Sequence, residues 1–139
     1  MKIRVPENPG GALRTFEDDT YDVAIMDMFH GQSKTGNAKL TVKYVIRSEY
    51  SGKHSKTYKS TVGENVLETF SLQEQAIWNL NDLHKQVTGE NLPQGDYDVE
   101  EFVQLIKDRL LGAEGRLDLV QDSSTGNPRM VVRTRYFGE

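Results

Sequence analysis

Cysteine is missing altogether from this 139-residue chain, which excludes disulfides, thiolate nucleophiles and the cysteine-based zinc sites. Long apolar runs are missing too: the longest, Val23 to Met26, is far below the roughly 20 residues that span a bilayer. The opening residues MKIRVPENPGG carry charge but no apolar stretch of about 7 to 15 residues, so no secretory signal is visible and a cytoplasmic protein is expected. Neither a Walker loop nor a dinucleotide glycine pattern nor a nucleophile-elbow serine occurs. His30, His54 and His84 lack metal-ligand spacing, and each reads as a surface or loop residue. The carboxylates Asp96, Asp98, Glu100 and Glu101 are of the kind that holds Mg²⁺, but the start of a helix accounts for them through capping and the helix dipole. No cofactor, metal or catalytic residue is expected.

What is present fits one globular domain: 27% charged and 9% aromatic residues are ordinary values, so neither wholesale disorder nor a fibrous repeat is called for. The net charge of −4 conceals a segregation. Between Lys34 and Lys59 seven basic residues face one acidic, a local +6, whereas from Glu64 to Asp122 four basic face thirteen acidic, a local −9.

Residues 1–19, with Pro6, Pro9, Gly10 and Gly11, read as a flexible leader, and 20–139 as the domain. TYDVAIMDM places Tyr21, Val23 and Ile25 on one face of a strand, and FHGQSKTGN reads as a mobile, turn-rich loop. AKLTVKYVIR alternates most clearly: Leu40, Val42, Tyr44 and Ile46 point one way and Lys39, Lys43 and Arg47 the other. KTYKSTV reads as its return strand, making 38–62 a hairpin that NVLETF leads out of. Ser71 with Glu74 has capping-box spacing ahead of the stripe Ala76, Ile77, Leu80, Leu83 and Val87, and Asp98 opens a second helix carrying Phe102, Leu105, Ile106 and Leu110. Leu117 and Leu119 begin a closing hairpin, in whose last strand Arg129, Val131, Arg133, Arg135 and Phe137 share one face at period two. Three strands, a helical insert and two strands suggest a mainly β fold, a five-stranded antiparallel OB-like barrel with helices between strands three and four. A helix-packed open sheet is the structural alternative.

The basic strand faces and their loops are the strongest functional candidate. Lys34, Lys39, Lys43, Arg47, Lys53, Lys56 and Lys59, joined by Arg133 and Arg135, interleave with Phe29 in the first loop and with Tyr50 and Tyr58. Such a mixture suits single-stranded nucleic acid, whose backbone follows a cationic groove while bases stack on aromatic rings. Lysines that merely solvate a strand face are the plainer alternative. Tyr44 alternates with core residues and is assigned to the core, and Trp78, opposite the main stripe of its helix, is expected to pack against a neighbouring element.

The runs TYDVAIMDMFHGQSKTGNAKLTVKYVI, ETFSLQEQAIWNLNDL and LDLVQDSSTGNPRMVVRTRYF, spanning roughly residues 20 to 137, resemble a family of small tailed-phage proteins catalogued as a domain of unknown function. The resemblance implies an OB-fold, single-stranded DNA-binding protein of phage DNA replication or recombination in the host cytoplasm. It touches Lys34, Gly36, Asn37, Lys39 and Lys43. Similar binders end in an acidic tail that recruits partners, whereas this chain ends in TRYFGE. The second reading from the residues is a protein-interaction module, an adaptor or inhibitor of replication or recombination proteins, using an acidic helical face of Glu74, Asp82, Glu100, Glu101 and Asp108. Homo-oligomerisation is compatible with either reading.

Overall fold

The computed structural model describes residues 18–49, 62–122 and 129–138. Its elements are β1 (Asp19–Gln32), β2 (Ala38–Glu49), β3 (Asn65–Ser71), α1 (Trp78–Thr88), α2 (Val99–Leu110), β4 (Glu114–Asp122) and β5 (Arg129–Tyr136). The strands form one open antiparallel sheet in the order β3-β2-β1-β4-β5. Among the described residues no helix is long and apolar enough to cross a membrane.

Alternation builds the inner face. Tyr21, Val23, Ile25 and Met28 of β1, Leu40, Val42, Tyr44 and Ile46 of β2, Val66 and Phe70 of β3, and Leu117 and Leu119 of β4 are all buried. Leu80 and Leu83 of α1 and Phe102, Val103, Ile106 and Leu110 of α2 join them in one core. The two helices thus supply apolar stripes to one side of the sheet and leave its other side to solvent.

Among the described residues three bulges break the strict period of two, each inserting one residue that the partner strand does not match. In β1 the register steps from Ile25↔Tyr44 to Asp27↔Lys43, so Met26 is the extra residue, and it is exposed. In β2 the step from Val23↔Ile46 to Asp22↔Ser48 leaves Arg47 over. In β5 the step from Asp118↔Thr134 to Leu119↔Val132 leaves Arg133 over. This last bulge corrects the single-face expectation for the final strand: Arg135 and Phe137 turn inward with Met130 and Val132, whereas Arg133 stays outside.

Two further expectations shift. On the side of β2 away from β1 the pairing strand is NVLETFS, β3, while KTYKSTV, apart from the turn residue Val62, lies outside the described residues. The first helix begins at Trp78, not at Ser71, because Ser71 is still paired with Lys39 and the Leu72 N–H donates to the Ala38 carbonyl at 3.1 Å. Sheet pairing holds that backbone extended, so the Ser71 hydroxyl accepts from the Gln73 N–H at 3.2 Å and caps a turn instead. α2 starts where Asp98 indicates, although the Asp98 side chain makes no cap hydrogen bond.

Candidate nucleic-acid interface

The β1–β2 hairpin carries the candidate surface. Its turn is short: the Ser33 N–H donates to the Asn37 carbonyl at 2.8 Å and the Gly36 N–H to the Ser33 carbonyl at 2.9 Å. Gly36 sits at φ +86°, the left-handed conformation that closes a three-residue hairpin loop at little steric cost to glycine. The Thr35 hydroxyl meets the Ser33 hydroxyl and accepts from Asn37 Nδ2, both at 3.0 Å, the Asn37 backbone N–H donates to the Ser33 hydroxyl at 3.2 Å, and Lys34 stands at the tip of the turn. The expected loop of nine residues therefore contracts to Ser33–Asn37, and Phe29 and His30 belong to β1.

That change puts Phe29 on the outer face of the sheet, opposite Thr41 and 46% exposed. The neighbouring rows of the same face are Gly31↔Lys39 and Asp27↔Lys43, so the ring lies between two lysines about 13 Å apart along β2. Gly31 leaves room for the Lys39 stem, whose Cε lies 3.7 Å from where a β-carbon on Gly31 would sit. Asp27 is engaged elsewhere, accepting from the Met28 N–H at 2.8 Å and standing 4.0 Å from Lys107. Lys34, Lys39 and Lys43 form no ion pair among the described residues. On the β3 side, Thr69 meets Thr41 at 3.3 Å between their hydroxyls and Leu67 adds a partly exposed apolar surface; neither stands out in a sequence read for charge and rings.

The other expected residues separate from this group. Arg47 projects from its bulge at the far end of β2, 4.0 Å from Glu114, where it lines an open cleft of about 740 Å³ with Arg116 and Tyr136. Arg133 stands 3.9 Å from Asp118 on the β4–β5 side. Arg135 is 10% exposed; it pairs with Glu68, donates to Asn79 Oδ1 at 2.7 Å, and stacks over the Phe70 ring at 5.2 Å. An arginine buried to this degree, with its guanidinium tips on Glu68 and Asn79, is out of reach of a phosphate at the surface, which removes it from the surface set. Lys53, Lys56, Lys59, Tyr50 and Tyr58 lie outside the described residues.

Tyr44 is buried, as assigned, and donates to Glu68 at 2.7 Å. Burial first, and then the Glu68 charge, push its phenol well above the usual range. Burial also raises Glu68 above the ordinary carboxylate range, against the opposing pull of the Tyr44 hydrogen bond and of Arg135.

Two single residues depart from expectation. His84 is buried: Arg109 Nη1 donates to its Nε2 at 3.1 Å, so Nδ1 carries the proton and donates to the Glu90 carbonyl at 2.7 Å. It ties the end of α1 to α2. Trp78 is 69% exposed and packs no neighbouring element with most of its surface. Of the acidic residues expected on the helical face, Asp82 turns to Arg135 at 3.4 Å, Glu74 lines a groove with Trp78, Glu100 and Glu101 open α2, and Asp108 accepts from Gln104 Nε2 at 2.8 Å. Among the described residues, no group of three or more His, Asp or Glu side chains is placed to hold a metal ion.

No protein-family model matches the chain, and no curated protein matches it.

Proposed function

We propose that the chain binds single-stranded DNA, with little regard to sequence, on the outer face of the β1–β2 hairpin. The observation that carries this is Phe29, half exposed between Lys39 and Lys43, with Lys34 at the adjoining turn and all three lysines unpaired among the described residues. The lysines neutralise phosphates, and the ring offers a face on which any base stacks. A duplex keeps its bases stacked on one another and gains nothing from the ring, so the surface favours a single strand. Acidic groups elsewhere on the sheet are engaged with Arg116 and Arg133, which limits repulsion of the polyanion.

An OB-like architecture is part of the same reading. The order β3-β2-β1-β4-β5, with both helices between β3 and β4, is that of a five-stranded Greek-key barrel cut between β3 and β5. The Arg135–Glu68 pair joins those two strands, and in such barrels the face around strands two and three and the first hairpin loop contacts nucleic acid. The setting in phage DNA replication or recombination rests on the sequence resemblance.

The test is fluorescence anisotropy of a labelled oligo-dT and a matched duplex at about 50 and 200 mM salt. Salt-sensitive binding of the single strand over the duplex is expected, and its absence at the lower salt overturns the reading.

A further inference from the structure

A half-open groove of about 660 Å³ lies between the start of α1 and the segment 91–99, a volume typical of ligand clefts. Leu72, Ile77, Leu92, Val99 and Phe102 give it an apolar floor, and Trp78 stands at its side with most of the indole in water. Its far wall is fixed in place. Asn81 Oδ1 accepts from the Leu92 N–H at 2.7 Å, Tyr97 donates its hydroxyl to the Pro93 carbonyl at 3.1 Å, and the Tyr97 ring packs on Phe102 with 5.6 Å between centroids. Among the described residues, the charged ones lining the groove are Glu74 and Asp96, with no lysine or arginine. Asp98, Glu100 and Glu101 follow at the exposed start of α2.

An apolar, aromatic-sided groove with a rim of one sign selects its occupant by charge. Phosphates are repelled by the carboxylates, and an acidic peptide likewise. We infer that the groove is a docking site for a cationic segment of a partner protein, which seats a bulky apolar side chain against Trp78 and sets lysines or arginines against Glu74 and Asp96. Tryptophan, with tyrosine and arginine, is enriched among the residues that dominate such contacts. Ala38 belongs to the groove and Lys39 to the hairpin surface, so a docked partner sits beside that surface; the inference stands independently of what the hairpin binds.

Trp78 is the single tryptophan of the chain, so its emission reports on the groove directly. The probe is the tryptophan-free peptide acetyl-Gly-Lys-Lys-Leu-Phe-Lys-Lys-Gly-amide, titrated to millimolar concentration. The expected result is a saturable blue shift that weakens several-fold when salt rises from about 50 to 200 mM, and at least tenfold in a Glu74→Lys, Asp96→Lys variant. Counterparts with glutamate for lysine, or alanine for Leu-Phe, should give no shift. No shift with the cationic peptide, or an equal shift with either counterpart, overturns the inference. So does a blue emission of the peptide-free protein that reddens on dilution, which would give the groove to a second copy. The peptide comparison decides the matter even where the charge-reversed variant fails to fold.

Discussion

Arg135 of β5 and Glu68 of β3 form an ion pair across the gap between the two end strands of the sheet, with side chains only 10% and 12% exposed. Tyr44 donates to the same carboxylate, and Asn79 and Asp82 complete the arginine's partners from α1. The pair thus links β2, β3, β5 and α1 at one point. Removing one member strands a buried charge, so Arg135→Ala should lower stability by about 3 to 5 kcal/mol. Chemical denaturation would measure it, and Arg133→Ala, whose side chain is two-thirds exposed, should stay within about 0.5 kcal/mol of the parent.

Glu68 also predicts a pH dependence. Its folded-state affinity for a proton is raised, chiefly by burial, above that of the unfolded chain. The folded state therefore binds more protons between the ordinary carboxylate pKa of about 4.3 and the raised value. Stability from this group is fully present below that window and is lost as pH rises through it. Comparing melting temperatures of the parent and Glu68→Gln from pH 7 to pH 5, the parent should gain relative to the variant as pH falls; parallel curves would refute the assignment.

Gly115 is a packing requirement. A β-carbon there would lie 2.5 Å from Phe137 Cδ1 and 2.8 Å from the Tyr136 carbonyl oxygen, and the Phe137 ring is itself held against Tyr44 at 6.1 Å. Since backbone cannot swing aside as a side-chain tip does, Gly115→Ala should cost about 1 to 3 kcal/mol by overpacking. Gly31→Ala, which meets nothing closer than 3.7 Å, should be nearly neutral by the same denaturation assay.

For the hairpin surface, neutralising about three phosphates gives a logarithmic salt slope near −2, or roughly a 20-fold loss of affinity between 50 and 200 mM salt. Phe29→Ala should weaken oligo-dT binding about 5- to 150-fold, the range of one stacked base. A Lys39→Glu, Lys43→Glu variant should lose most binding while keeping its melting temperature. Unchanged anisotropy in either variant would move the site elsewhere.

Period-two and helical patterns made the inner face legible: Tyr21, Val23 and Ile25, then Leu40 to Ile46, lie where alternation puts them. Bulges were not legible, because an extra residue exists only relative to a partner strand. That is why Arg135 looked like part of a basic outer face and proved to be turned inward. Ser71 failed as a helix start for a related reason, since its pairing with Lys39 comes from 32 residues earlier in the chain. Within the candidate site, Lys39 and Lys43 could be placed from alternation alone, whereas Phe29 needed the length of β1, which its flanking glycine obscured.

The length of β1 has one more effect. β4 follows it only from Asp19 to Ala24, with Ala113 and Gly112 each adding one bond at Ile25, and from Asp27 to Gln32 its register is with β2 on one side. Among the described residues no strand pairs with the other side of that stretch, and an unpaired edge of this kind is a template on which neighbouring molecules add strands and aggregate. The Met26 bulge twists the backbone just where this edge begins, and the Asp27 and Lys107 charges stand beside it. Straightened by deletion of Met26, the same edge would lie flat beside an exposed phenylalanine, and association through strand pairing would be favoured.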